Sequence, residues 1–278
     1  MSAFHADSDR ATMASGILPP VHANPMVAPM AGRTFAIGDI HGDMVHLQAL
    51  LGRLPALTED DTVVFLGDYV DRGPDSAGII QFVREFHEHT PARVVALRGN
   101  HEDAWLRVID HGWPEFVYPP NNGCLACLRS FQPNDVDDKA NSHEMALLLT
   151  GEFLPPDVVA WMRSLPFWYE DEHAIYVHAG LPRVNGTWLH PSEVEDPIVL
   201  LWLRKKEFFL DYRGKLVICG HTMTATLPHG ISMYTPDDHT DLWAGEAVYV
   251  IDTGCGKGGF LTAIELPERL VYESRPLP

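Results

Sequence analysis

Positive charge and cysteine are both scarce in this 278-residue chain: 20 Lys and Arg stand against 38 Asp and Glu, and there are four Cys. A formal net charge of −18 argues against a nucleic-acid partner, because nucleic-acid phosphates call for a basic surface. Four unpatterned cysteines do not make a disulfide scaffold. Cys124-x-x-Cys127 is the one rival metal or redox pair, yet it is single, has no neighbouring His and follows Asn121-Asn122-Gly123 instead of opening a βαβ unit, so a structural role is expected. No apolar run approaches the ~20 residues that cross a bilayer. The start of the chain also lacks the apolar segment behind basic residues that marks a signal peptide. The expectation is a cytoplasmic monomer with neither a membrane nor a nucleic-acid partner.

What remains is 46% apolar, enough for one substantial core. Residues 1–32 carry Pro19, Pro20, Pro25 and Pro29 with little periodicity and read as a mobile N-terminal arm. Residues 33–278 read as one catalytic domain. It opens as βαβαβ, with strands from Arg33, Thr62 and Ala92, helices from Met44 and Ser76 through Phe86, and a further helix from Ala104. Residues 111–150 break the rhythm with Pro119-Pro120, Asn121-Asn122-Gly123 and Asp135 to Asp138, as a substrate-facing excursion with short helices would. A helix over Pro156 to Ser164 follows. Beyond His178 the pattern turns strand-rich, with Leu216 to Cys219, Glu246 to Ile251, Gly259 to Glu265 and Leu270 to Tyr272, which suits a second sheet.

Five polar blocks punctuate this pattern: Gly38-Asp39-Ile40-His41-Gly42, Gly67-Asp68-Tyr69-Val70-Asp71-Arg72-Gly73, Gly99-Asn100-His101-Glu102, His178-Ala179-Gly180-Leu181 and Gly220-His221-Thr222. Each follows an apolar run, so each falls at a strand exit, where open α/β sheets place their chemistry. A single block is only a strand entering a polar turn. Five with the same oxygen and imidazole composition, and no Cys, describe a site for hard or borderline dications and a metal-assisted hydrolase. The other histidines, His22, His87, His89, His111, His143, His173, His190, His229 and His239, have no block around them and read as surface or loop residues. His46 reads as structural. Gly254-x-Gly256-x-Gly258-Gly259 leads into another strand, not a helix, so no helix N-terminus is there to receive a nucleotide phosphate.

With Leu201-Trp202-Leu203-Arg204 and the tail Val250-Ile251-Asp252-Thr253-Gly254 through Gly258-Gly259-Phe260-Leu261-Thr262, the ordered set resembles the PPP-type metallophosphoesterases of the calcineurin-like superfamily. The resemblance runs from about Arg33 to Tyr272 and is nearest to the compact bacterial and phage Ser/Thr protein phosphatases. It implies a four-layer α/β/β/α sandwich of two mixed sheets with the metals at the strand ends. Two divalent ions are implied, Mn²⁺ first, with Fe, Zn, Ni or Co ions as alternatives. Asp39 and His41 would hold one and Asn100, His178 and His221 the other. Asp68 would bridge them, as two neighbouring dications need a shared anionic oxygen. Hydroxide shared by the metals would then attack phosphorus directly.

The same resemblance makes His101 the proton donor to the leaving oxygen and Asp71 its orienting partner, since an imidazole paired to a carboxylate is held in one tautomer. Arg72, Arg204 and Asn100 would bind the substrate phosphate, the arginines as donor forks, and Glu102 would support the site from behind. The substrate implied is a phosphorylated protein or a small phosphomonoester. One alternative is a symmetrical bis(5'-nucleosyl)-tetraphosphate hydrolase, a family whose second block characteristically lacks the acid found here as Asp71 and whose third ends in Asp where this chain has Glu102. The other is a non-catalytic scaffold, which retention of every candidate ligand disfavours.

Overall fold

Short strands with alternating side chains sort the apolar residues of this chain into three cores, which separate four layers. The computed structural model describes residues 32–132, 139–235 and 237–275. The expected N-terminal arm lies outside the described residues apart from Gly32, as do Asp135 to Asp138 of the excursion.

The opening βαβαβ is present as β1 (Thr34–Ile37), α1 (Met44–Leu51), β2 (Thr62–Phe65), α2 (Ser76–His89), β3 (Arg93–Ala96) and α3 (Asn100–His111). Asp43 starts α1 by accepting the amide of His46 at 3.1 Å, and Asp75 starts α2 by accepting that of Gly78 at 2.9 Å. In α2, Ile79, Ile80, Val83 and Phe86 are buried at helical spacing. The excursion folds as α4 (Pro114–Val117), α5 (Cys124–Phe131) and α6 (Ser142–Thr150), and α7 (Pro156–Ser164) has the expected bounds. The second half supplies β4 (Trp168–Glu170), β5 (Ile175–Val177), the ribbon β6 (Arg183–Val184) and β7 (Thr187–Trp188), α8 (Val199–Trp202) and α9 (Lys206–Asp211). It continues with β8 (Val217–Cys219), β9 (Trp243–Ala244), β10 (Val248–Val250), β11 (Thr262–Leu266) and β12 (Leu270–Glu273).

The first sheet runs β12-β11-β1-β2-β3 and the second β4-β5-β8-β10-β9. Both are mixed. β1, β2 and β3 are parallel, as are β5, β8 and β10, while β11, β12, β4 and β9 pair antiparallel. Phe35, Ile37, Val63 and Phe65 face α1, α2 and α3. The intervening Ala36 and Val64 point the other way, onto Tyr176, Ile218 and Tyr249 of the second sheet. Ile175, Val177, Val217 and Val250 then face Leu200, Phe208 and Phe209, so α8 and α9 supply a thin fourth layer. This is the expected sandwich of two mixed sheets.

Local readings need correction in three places. α3 begins at Asn100, not Ala104, so Asn100 and His101 occupy a first helical turn and not a loop. β11 begins at Thr262, not Gly259, because Gly259 closes a turn on the Gly254 carbonyl at 3.0 Å. His229 is buried, not superficial, with Nε2 facing the Thr224 carbonyl at 2.8 Å. Cys124 and Cys127 are buried thiols at the start of α5, both pushed up by burial, in keeping with a structural role. Among the described residues, no helix is long and apolar enough to cross a membrane.

Candidate metal centre

Parallel pairing aligns the C-terminal ends of β1, β2 and β3 on one edge of their sheet, and those of β5, β8 and β10 on one edge of the other. The five blocks leave these ends. Asp39 and His41 follow β1, Asp68, Asp71 and Arg72 follow β2, Asn100 and His101 begin α3 after β3, His178 follows β5 and His221 follows β8. The packing is close enough that a Cβ on Gly220 would stand 2.0 Å from Asp39 Oδ1. His41, Asp68, Asp71, Arg72 and His221 all have positive φ, between 48° and 70°. Non-glycine residues avoid that region, and strain of this kind gathers at functional sites.

Asp68 is the centre of the arrangement. Its Oδ2 lies 3.3 Å from His41 Nε2 and its Oδ1 3.5 Å from His178 Nε2, so its two oxygens face different histidines. The Asp68 carboxyl also accepts the His101 amide at 2.9 Å. His41 directs Nδ1 to the Val70 carbonyl at 2.9 Å and His178 directs Nδ1 to the Leu66 carbonyl at 2.9 Å. Carbonyls only accept, so each neutral ring is protonated at Nδ1 and carries its lone pair on Nε2. That is the tautomer a metal ligand requires.

These residues fit a pair of cations on three counts. First, His178 Nε2 meets Asn100 Oδ1 at 2.9 Å, a lone pair against a lone pair that a shared cation would reconcile. His221 Nδ1 meets the same Oδ1 at 2.7 Å, and its buried Nε2 has no partner. Second, burial lowers the proton affinity of His41, His178 and His221, which favours the neutral form that ligates a metal. Third, carboxylates are crowded: burial, with Asp252 and Asp68 nearby, raises Asp39 well above the carboxylate range, and burial next to Asp68 takes Glu102 up to about 7. Asp68 itself is held low, its burial outweighed by His178, His101, His41 and Arg72. Two groups of ligand atoms lie close together, His41, Asp68 and His101 in one and Asp39, Asp68 and His178 in the other, with Asp68 common to both.

His101 is placed differently from the candidate ligands. Its Nδ1 meets Asp71 Oδ2 at 2.6 Å, and Trp105, one turn later on α3, donates Nε1 to the same carboxylate at 3.0 Å. All three are buried. Glu102 stands behind, accepting the amides of Gly99, Asp68 and Tyr69 at 2.8–3.0 Å, and so ties the second block to the third. The Arg72 guanidinium contacts His41 Nε2 and lies 3.1 Å from His101 Nε2, instead of standing free for a phosphate. Arg204 is not the start of a helix face: it lies exposed between α8 and α9, after buried Leu201 and Leu203, and its charge acts on His221. Trp202 anchors this stretch through Nε1 to Asp103 Oδ2 at 3.1 Å.

Sequence reasoning missed two members of the site. Asp252 leaves β10 at a sixth parallel strand end, is 2% exposed, and together with Asp68 raises the proton affinity of buried Asp39. Its signal was the same as that of the five blocks, a polar residue after an apolar strand. Trp105 could have been found from its spacing of four from His101, which puts both on one helix face.

A family model described as calcineurin-like phosphoesterase matches residues 32–225. A symmetrical bis(5'-nucleosyl)-tetraphosphatase of Pectobacterium atrosepticum is 41% identical over 153 residues, a match spanning 53% of this chain and 43% of that relative. The corresponding protein of a Marinomonas species is 24% identical over 85% of this chain and 94% of its own length. Among solved structures, a putative diadenosine tetraphosphatase superposes with a TM-score of 0.54 at 20% identity, covering 88% of this chain and 94% of that one. A cold-active protein-tyrosine phosphatase of a Shewanella species gives 0.50 at 17% identity, covering 84% and 75%. With the two-sheet sandwich and a matching model over most of its described length, the chain belongs to the calcineurin-like phosphoesterases.

Proposed function

We propose that this chain transfers a phosphoryl group to water at a dinuclear metal centre. The observation that carries the reading is Asp68, whose oxygens face His41 on one side and His178 on the other. Asp39, His41 and Asp68 would hold one divalent ion, and Asp68, Asn100, His178 and His221 the second, with Mn²⁺ the first choice. When bound, such a pair ionises a water and polarises a phosphoryl oxygen.

The chain's own groups do the rest. His101 has Nδ1 committed to Asp71, so Nε2 is the atom that delivers a proton to the leaving oxygen. Asp71, fixed by Trp105, accepts the Nδ1 proton, so the proton given up from Nε2 is that of the imidazolium form. Arg72 rests on His41 and His101, at the place from which its fork would reach non-bridging phosphate oxygens if His41 served as a metal ligand. Arg204 approaches from the side of His221.

For the substrate, the names of the relatives support a symmetrical dinucleoside tetraphosphate better than the phosphoprotein expected from the blocks. A phosphomonoester such as phosphoserine is the second reading, favoured by the His101–Asp71 pair. A seryl alkoxide needs a proton as it leaves, and a nucleoside diphosphate hardly does. Turnover of diadenosine tetraphosphate, a phosphoserine peptide and p-nitrophenyl phosphate by Mn²⁺-loaded protein tests this. ADP as the sole product from the tetraphosphate supports the first reading, and turnover of the peptide alone supports the second. No turnover of any of the three overturns both.

A further inference from the structure

The cations around the candidate centre exceed what one phosphoryl group requires. Arg72 and Arg204 together offer two donor forks for its three non-bridging oxygens. The third cation is Lys257, and its place follows from the glycines around it. Gly254, Gly256 and Gly258 have φ of 83°, 73° and 83°, which L side chains rarely adopt. A Cβ on Gly256 would stand 2.7 Å from Cβ of His41 and 3.3 Å from Cβ of Arg72. The turn is therefore seated directly on the first two blocks.

Lys257, the next residue, lines a cavity of about 200 Å³ with Asp252, Thr253, Met223, Thr224 and Thr240. Lys257 is exposed, yet partial desolvation and the charge of Arg72 lower the proton affinity of its ammonium, and Asp252, Arg204 and Asp68 act on it as well. It thus lies within the field of the site. Yet its ammonium makes no hydrogen bond or ion pair with any described residue. An exposed lysine needs no protein partner, but in a chain of net charge −18 one whose neighbour Gly256 packs on His41 and Arg72 offers a cation to an anionic substrate.

We propose that Lys257 binds a second phosphoryl group, adjacent to the one under attack, and so directs the site toward phosphoanhydride chains such as nucleoside polyphosphates. The proposal rests on the phosphoryl-transfer reading of the metal centre. A lysine suits this role because a compact charge on a flexible stem can follow a neighbouring phosphate whose position varies, whereas the attacked group needs the fixed forks of arginine. The competing role is that of a counter-ion for buried Asp252, which would serve mono- and polyphosphates alike.

Calorimetric titration of AMP and of ADP into Mn²⁺-loaded protein, at fixed free Mn²⁺, measures the ratio Kd(AMP)/Kd(ADP), from which general effects on the site cancel. Loss of one charge-assisted contact should lower the ratio about tenfold in Lys257→Ala and in Lys257→Gln. Lys257→Arg, which keeps the charge, should hold it within about twofold. An unchanged ratio in Lys257→Ala overturns the proposal, as does equal weakening of both ligands, which marks the counter-ion role. A parent protein that fails to prefer ADP overturns it too. Because binding and not turnover is read, the result stands whichever substrate the enzyme hydrolyses.

Discussion

His101 Nδ1 meets Asp71 Oδ2 at 2.6 Å inside the protein, and Trp105 Nε1 donates to both oxygens of the same carboxylate at 3.0 and 3.1 Å. The His101 ring can therefore neither flip nor exchange tautomers without breaking a buried contact. His101→Asn should lower kcat on the order of 10²–10⁴ while leaving metal content unchanged. Asp71→Asn should resemble it. The loss should be smaller with p-nitrophenyl phosphate, whose leaving group needs little protonation, than with a phosphoserine peptide. Equal losses on the two substrates would remove His101 from proton transfer.

Metal dependence follows from the donor set. Chelation should abolish hydrolysis and added Mn²⁺ should restore it, with full turnover in a metal-free preparation, checked by elemental analysis, as the contrary result. Asp68→Asn should reduce bound metal more than substitution of Asn100, since only Asp68 supplies negative charge toward both His41 and His178. The measurement is metal per chain in each variant.

Arg204 is exposed and close enough to the centre for its charge to act on His221. Arg204→Ala should lower kcat/KM by about one to two orders of magnitude and weaken vanadate inhibition, because it removes a donor fork from the charged transition state. Lys205→Ala should change neither quantity appreciably. An Arg204→Ala enzyme with parental kinetics and vanadate affinity would confine that residue to the solvated surface.

Stability should carry its own pH signature at Asp61. Burial raises its proton affinity, but hydrogen bonds from Arg33 and Thr58 outweigh this and hold the carboxyl below the ordinary value. Arg33 Nη2 lies at 2.7 Å and the Thr58 amide at 2.7 Å. A depressed folded pKa contributes stability above the unfolded value of about 3.9 and loses it as pH falls toward the folded one. Asp61→Asn should cost about 2 kcal/mol at neutral pH. Thermal melts of parent and variant should differ at pH 7 and converge below about pH 4. A gap that persists in acid would mean that shape, not charge, matters there.

The amino-acid order by itself determined the sheets and the candidate ligands. Strand positions were legible as short apolar runs, but that Phe35 faces the helices and Ala36 the other sheet only the structure decided. The candidate ligands were legible as a set because Asp39, His41, Asp68, Asn100, His178 and His221 each follow an apolar run, and their chemistry is the same in any context. Local reading failed where one residue's place is set by distant ones. The start of α3 at Asn100 depends on Glu102 receiving the amides of Asp68 and Tyr69, more than thirty residues earlier. Asp252 and the turn that carries Lys257 come beside the candidate centre because β10 pairs beside β8 and Gly256 packs onto His41. Only the tertiary structure could bring His221 to Asp39, 182 residues apart, and set Arg72, expected to bind phosphate, against His41. Side-chain chemistry is carried by each residue, but convergence is a property of strand order, and that order is fixed by packing across the whole chain.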